Sequence, residues 1–418
     1  MPRTDAPQFD EARLASLRGK LAPSANSARD LAATAQTACV RRRALAVVGA
    51  SPDAAAERLG ARAVHHGQSP FALQLGDRFE QALRRDGFGR LVGALDEQLG
   101  FPTDGLVVED LDETLPMPHP RRKGAQARRV EVARLRRERT EELLVEALTG
   151  SGGAPGRLVR HPRLSFLLTD TVRDVEPDFL LVWPGTRHVR LGESKSFVDL
   201  RHRTDPGDLA ATRQQLAVYA LALEQTADRL VEARRLTRKA REALHGPWPG
   251  DPVAPRAVFA LTILRRPQSM FPALGVEDVR RDVELVRRGL HRTPASLAEL
   301  LAALPGQAAS RLDDPAVLRA LPVRYEPAWC LGQCPMASDC RDAARTAHDP
   351  AYFGGPTRST LAPAGDLAAA HALACGAAAP DDGPGQRAYA ELTRTLRGRI
   401  DAARAVEAAL AGQPGRGA

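Results

Sequence analysis

The sequence predicts an α/β fold with a mixed central sheet flanked by helices, and three observations point there. Two long stretches of helical period bracket a middle stretch in which the apolar period shortens, that middle stretch is rich in β-branched and aromatic residues, and Pro, Gly and Ser punctuate its ends. The 418 residues, 43% hydrophobic and 26% charged, exceed one average domain of roughly 100–200 residues and supply apolar mass for a core. A small stapled peptide is excluded. No window approaches the ~18–20 uninterrupted apolar residues of a membrane span, so a soluble globular protein with no membrane partner is expected.

Residues 1–60 read as helical, with Asp53-Ala-Ala-Ala-Glu-Arg-Leu59 a short helix, and SPFALQLGDRFEQALRRDG (69–87) reads as a loop entering an amphipathic helix. Pro- and Gly-containing sequence from 100 to 125 reads as a linker. From Gln126 to Leu148, Val130, Val132, Leu135, Leu143, Leu144, Ala147 and Leu148 suit one long charged helix stopped by GSGGAPG. Three β-rich runs follow, RLVRHPRLSFLL, VEPDFLLVW and RHVRLGESKSFV, with Pro184-Gly185 turning the chain between the last two. They predict a mixed or antiparallel meander. DPGDLAATRQQLAVYALALEQ (205–225) is helical with Leu209, Leu216 and Leu223 on one face, a second basic helix runs to about 245, and RAVFALTIL (256–264) is a further strand. Helices are expected from 276 to 304, then a Cys-bearing segment from about 325, Ala/Gly/Pro-rich sequence, and a last helix over 386–411. The chain thus divides into an N-terminal helical region (1–125), a core (126–270), a helical cap with three cysteines (271–345), and a connection with the C-terminal helix (346–418).

The net charge is +8 and the pI about 9.7, a balance that suits phosphate-rich partners without proving one. Only Lys20, Lys123, Lys195 and Lys239 are lysines, and every other basic residue is arginine. Each lysine therefore merits inspection. The N-terminus, MPRTDAPQFDEARLASLRGK, is polar where a secretory signal needs an apolar stretch, and a cytoplasmic location is expected. Five cysteines, an odd number, argue against a disulfide framework and for metal, redox or core roles.

Glu193 and Lys195 are one residue apart on a strand, so both side chains emerge on one face, and the turn at 184–185 brings Asp178 beside them. Two carboxylates offer hard oxygens to Mg²⁺ or Mn²⁺, and the ammonium can orient an attacking water or stabilise charge on a phosphate. The plainer reading is solvated surface charge; the scarcity of lysine weighs against it. Gln215 and Tyr219, at i and i+4, share a helical face where amide and phenol can bracket a backbone phosphate, or where a half-buried Tyr is simply capped by a Gln.

Asp178, Glu193-Ser194-Lys195 and the Gln215-Leu-Ala-Val-Tyr219 helix resemble the PD-(D/E)XK nuclease superfamily, in particular its RecB-like branch, and Pro177 supplies the first letter. The resemblance implies a restriction-endonuclease-like core and a metal-dependent DNA nuclease that leaves a 5′-phosphate, exonucleolytic or single-strand-preferring. Asp178, Glu193, a carbonyl near Ser194 and a further ligand would hold the metal, Lys195 would assist the nucleophile, and Gln215 and Tyr219 would contact DNA. The family's further ligand is a His in a Gly-x3-His context; Gly76-Asp-Arg-Phe-Glu80 has that layout with Glu80 in its place, and Glu142 on the helix before the first strand competes.

Cys330, Cys334 and Cys340 form Cys-x3-Cys-x5-Cys, one short of a Cys₄ site, and Cys39 is available as the fourth. Spacing leaves zinc and iron-sulfur open. Iron-sulfur nucleases of the RecB-like branch, AddB and the CRISPR-associated RecB-like exonucleases among them, hold a 4Fe-4S cluster with one Cys before the core and three after it, and this resemblance implies the same for Cys39, Cys330, Cys334 and Cys340. Cys375 reads as a core residue, His65-His66 as a solvated pair, and His161, at the first strand, as a structural histidine that could also approach the site. Arginine-rich stretches at 121–138 and 230–241 can track a DNA backbone or form solvated faces. No GxxxxGK[ST] motif is present, so a helicase or other DNA-processing partner would be a separate chain. The alternatives are a non-cleaving DNA-binding or helicase-partner scaffold and a zinc-stapled restriction-type endonuclease.

Overall fold

The structure, a computed structural model, describes residues 10–24, 27–61, 70–101, 103–119, 124–150, 155–168, 171–183, 188–198, 206–242, 244, 259–265, 269–303, 310–325, 330, 334–353, 358–359, 361–362, 365–374 and 386–411. Cys375, His65 and His66 lie outside them. The chain divides into two compact units, one of Met1–Thr37, Arg42–Ser51 and Gln68–Leu312, the other of Ala38–Arg41, Pro52–Gly67 and Asp313–Ala418.

Helices lead: α1 (Glu11–Arg18), α2 (Ala28–Gln36), α3 (Val40–Val47), α4 (Pro52–Leu59), α5 (Pro70–Arg84) and α6 (Gly89–Leu99). Asp10 and Ser27 cap α1 and α2 by accepting the N–H groups of Arg13 and Asp30. Strand β1 (Val107–Asp110) and helix α7 (Leu111–Thr114) come next, then the long α8 (Ala125–Thr149). The strands are β2 (Arg157–Arg160), β3 (Leu164–Leu168), β4 (Thr171–Val175), β5 (Phe179–Trp183) and β6 (His188–Val198). After them come α9 (Pro206–Glu232), α10 (Arg238–Glu242), β7 (Phe259–Arg265), β8 (Pro272–Asp278), α11 (Arg280–His291) and α12 (Thr293–Ala303).

The first unit is built on a six-stranded sheet of order β1-β2-β5-β6-β7-β8. Pairs β1–β2 and β6–β7 are parallel and the others antiparallel, so the sheet is mixed. Side-chain alternation decides which layer each residue joins. Val159, Leu180 and Val182 pack with α8 and α9, whereas Leu158, Phe179 and Leu181 pack with Phe79 and Leu83 of α5 and Leu91 and Leu95 of α6. Helices therefore cover both faces. Helices α2 and α11 cross so closely that a Cβ on Gly289 would stand 2.0 Å from the Ala35 carbonyl oxygen.

Several expectations change. The run RLVRHPRLSFLL is two strands, broken at His161-Pro162, where Pro lacks a ladder N–H and His161 adopts a left-handed φ of 52°. Strands β3 and β4 then form a separate two-stranded sheet. The stretch 100–125, expected as linker, contains β1 at the sheet edge and α7. Residues 272–278, overlapping the stretch expected to be helical from 276, extend the sheet as β8, and the second basic helix ends at Glu242.

In the second unit, α4 packs on α13 (Pro315–Ala320), and the N–H groups of Val40 and Arg41 both donate to the Pro322 carbonyl. Beyond lie α14 (Ala337–Ala347), α15 (Leu367–Ala374) and α16 (Gln386–Ala411), with Leu361, Ala370 and Leu392 in a small core. Among the described residues no helix is long and apolar enough to cross a membrane.

Candidate functional site

Strand β5 begins one residue after Asp178, and its antiparallel pairing sets Phe179 opposite Gly192 of β6. That register brings Asp178 to the β6 segment carrying Glu193, Ser194 and Lys195. Asp178 Oδ2 accepts from the Ser194 N–H at 2.7 Å and from its hydroxyl at 2.8 Å. The carboxylate is thus pinned by the residue between Glu and Lys. The pairing of β6 with β7 shifts register after Ser194, so the regular ladder ends at the site.

Glu193 is 2% exposed. Its Oε1 accepts from Lys195 Nζ at 2.5 Å and from Gln215 Nε2 at 2.7 Å, while its buried Oε2 has no hydrogen-bond partner. Burial, reinforced by the charge of Asp178, pushes the Glu193 carboxyl up to about 7. Burial pulls the Lys195 ammonium the other way, but Glu193 and Asp178 outweigh it and its pKa is raised. Lys195 therefore stays charged at neutral pH.

Glu80, on α5, joins from the other face of the sheet. It lines a cavity of about 10 Å³, room for one water, together with Leu83, Phe88, Arg160, His161, Asp178, Phe179 and Ser194. Burial and then Asp178 raise its pKa as well. Asp178 is the group common to both faces. Glu142, the competing candidate, is instead an exposed member of an α8 ion pair with Arg139.

A girdle of paired charges surrounds the cavity. Arg160, 4% exposed, reaches Asp110 at 3.0 Å, Asp112 at 3.2 Å and Glu80 at 3.4 Å. His161 places Nε2 3.3 Å from Asp112 and Nδ1 3.2 Å from Glu176. Burial lowers its pKa, yet these carboxylates outweigh burial and hold the imidazole in its protonated form to higher pH than usual. Sequence reading missed Arg160 and set His161 aside; the signal for both was the His161-Pro162 break, which ends β2 at the site.

Of the two residues expected to contact DNA, Tyr219 is 4% exposed and its hydroxyl accepts from Gln215 Nε2 at 3.0 Å, so the pair braces Glu193 from within. Several arginines of α8, in the stretch read as able to track a backbone or to form a solvated face, are ion-paired within the chain. Arg134 pairs with Glu131 and Glu138, Arg137 with Asp174, and Arg139 with Glu109. Arg136, fully buried, pairs with Asp112 and donates to the Leu115 carbonyl. Arg235 and Arg241 likewise meet Glu141 and Asp228.

In the second unit Cys39, Cys330, Cys334 and Cys340 are all buried and none is in a disulfide. The Cys334 N–H donates to the Cys330 carbonyl and the Ala337 N–H to the Cys334 carbonyl, a tight turn leading into α14 and Cys340. Burial pushes the Cys340 thiol up, Arg41 opposes, and Cys39 and Cys334 add to the rise. All three cysteines therefore share one electrostatic neighbourhood, although Cys39 lies far off in sequence.

Among the described residues no three His, Cys, Asp or Glu side chains are gathered tightly enough to hold a metal ion as they stand. The donor sets nevertheless fit. A buried carboxylate oxygen without a partner, with Asp178 acting on it, suits a hard divalent cation, and four buried thiols suit zinc or an iron-sulfur cluster. Comparison with protein-family models, with curated proteins and with solved structures finds no match for this chain.

Proposed function

We propose that this protein is a metal-dependent deoxyribonuclease of the PD-(D/E)XK type, RecB-like, with Asp178, Glu193, Glu80 and the Ser194 carbonyl as metal-binding groups for Mg²⁺ or Mn²⁺. The observation that carries the reading is Glu193. It is buried, its Oε1 is held by Lys195 and Gln215, and its Oε2 is left unpaired within reach of Asp178's field. An unpaired buried carboxylate oxygen is costly unless something occupies it, and the repulsion of Asp178 with Glu193 and with Glu80 would fall with a dication present.

A bound dication supplies Lewis-acid polarisation of a phosphodiester and a lowered pKa for water. The chain's own groups do the rest. Lys195 offers an ammonium that stabilises negative charge on the phosphate and orients the nucleophile. Ser194 fixes the rotamer of Asp178, and Gln215 with Tyr219 fixes that of Glu193. Arg160 and His161 pair with the surrounding carboxylates at Asp110, Asp112 and Glu176, and Arg160 also reaches Glu80.

The four cysteines are proposed to hold a structural 4Fe-4S cluster in the second unit, with zinc as the alternative occupant. The test of the nuclease reading is cleavage of end-labelled single- and double-stranded DNA by the full chain with Mn²⁺, with Mg²⁺ and with chelator. Asp178→Ala should abolish metal-dependent product while remaining folded. Metal-independent cutting, or unchanged cutting by Asp178→Ala, would reject the reading in favour of a non-cleaving scaffold carrying a contaminant activity.

A further inference from the structure

Arg41 is among the largest fully buried side chains of the molecule, 2% exposed, and lies two residues after Cys39. Its Nη1 stands 2.8 Å from Asp339 Oδ2 and 3.4 Å from Cys340 Sγ, and its buried Nε has no partner. Asp339 is itself shared, because Arg319 Nε approaches its other oxygen at 3.5 Å while Arg319 Nη2 donates to the Leu59 carbonyl. A buried guanidinium is expensive to desolvate, and half of one carboxylate compensates it poorly. A neutral thiol is a weak acceptor and adds little. An anionic sulfur centre would complete the pairing.

We propose that Arg41 is the buried counter-charge and N–H donor of the cysteine-bound cluster, acting on it through the Cys340 sulfur, with Asp339 setting how much of its charge the cluster feels. The proposal rests on the iron-sulfur reading of Cys39, Cys330, Cys334 and Cys340. Four thiolates around a 2+ core carry a net charge of −2 in a poorly solvated site, and one-electron reduction makes it −3 with no bond formed or broken. A fixed cation at one of the sulfurs therefore favours the reduced form more than the oxidised one, and hydrogen bonds to the sulfurs act in the same direction. Arg41 is a tuning and positioning residue, not a ligand. The consequence is directional: removing its charge makes the cluster harder to reduce, and removing the carboxylate that competes for it makes reduction easier.

The test is anaerobic purification of the full chain and of Arg41→Met, Arg41→Lys and Asp339→Asn, with iron and sulfide assayed and the one-electron midpoint read by dithionite titration followed by absorbance and spin resonance. Arg41→Met should lower the reduced-to-oxidised ratio at fixed potential at least tenfold, a shift of ~59 mV for a one-electron couple. Arg41→Lys should stay close to the parent, and Asp339→Asn should shift the midpoint the opposite way. A merely structural role would lower loading in both charge-removing variants without opposite shifts. If Arg41→Met takes up no cluster, Asp339→Asn decides: a raised midpoint supports the proposal, an unchanged or lowered one overturns it. A parent chain containing neither iron nor sulfide overturns the cluster reading and this proposal with it, whereas a loaded parent whose midpoint Arg41→Met leaves unmoved overturns the proposal alone.

Discussion

Glu193 titrates in a way that its neighbours make predictable. In metal-free protein its carboxyl is raised from the ordinary 4.5 to about 7 by burial and then by Asp178. Between those values the folded chain holds a proton that the unfolded chain has released, so this group's contribution to stability is lost as pH rises through that window. Glu193→Gln cannot ionise. In chelator, the unfolding free energy of the parent relative to Glu193→Gln should therefore fall on the order of 3 kcal/mol between pH 4.5 and pH 7.5, and a pH-independent difference would show that Glu193 is not held as described. The two glutamates that compete as the further metal-binding group separate equally clearly. Glu80 shares a cavity with Asp178, whereas Glu142 is an exposed partner of Arg139. Glu80→Ala should reduce cleavage roughly 10²-fold or more, as loss of a transition-state contact does, and Glu142→Ala should leave the rate within about twofold, since an exposed pair is worth about 0–1 kcal/mol. The reverse ranking in a single-turnover assay would transfer the role. Asp178, Glu193 and Lys195 were legible in sequence because strand parity and one turn suffice to gather them. Arg160 and His161 were not, because their partners Asp110 and Asp112 sit in a stretch whose Pro and Gly content reads as linker.

At the scale of elements, the long helices and the strands at 179–183 and 188–198 could be read directly from apolar period, and α16 spans Gln386–Ala411 as its pattern predicts. What failed were short or edge pieces. Strand β1 has four residues, only two of them apolar, and earns its place by pairing with β2 in parallel. Strand β8 contains Pro272 and Gly275, both poor strand residues, and is fixed by seven register partners on β7 rather than by propensity. The β3–β4 sheet follows from a single proline, which no periodicity count weighs heavily enough. The contact of α2 with α11 gives a test at this scale. Intrinsic helix propensity favours Gly289→Ala by ~0.8–1.0 kcal/mol, yet the added methyl group would stand 2.0 Å from the Ala35 carbonyl oxygen. Packing should win, with a net loss of roughly 1–3 kcal/mol in denaturant unfolding. A stabilised Gly289→Ala would mean that the two helices do not cross there.

Across the whole molecule, the second unit is gathered from separate stretches of chain, taking Ala38–Arg41 and Pro52–Gly67 from the N-terminal part and everything from Asp313 onward. Closing so large a loop costs entropy that grows with the logarithm of its length, and the proposed four-thiolate centre would offset that only when assembled. Cys39→Ala should therefore lower iron content and thermal stability about as much as Cys334→Ala does, while Cys375→Ala changes neither; normal iron in Cys39→Ala would reject the four-cysteine centre. Several arginines of α8 and α10 are paired with Glu and Asp within the fold, and the net charge of +8 is the basic excess left after all such pairing. The proposed function rests on the small buried constellation at Asp178, Glu193 and Lys195 rather than on overall charge. The measurement that tests this most directly is the Mn²⁺-dependent cleavage rate of labelled DNA by the full chain and by Lys195→Ala, compared at equal folded concentration. The account predicts product from the parent and none from Lys195→Ala. Equal rates from the two proteins, or no product from either, would contradict it.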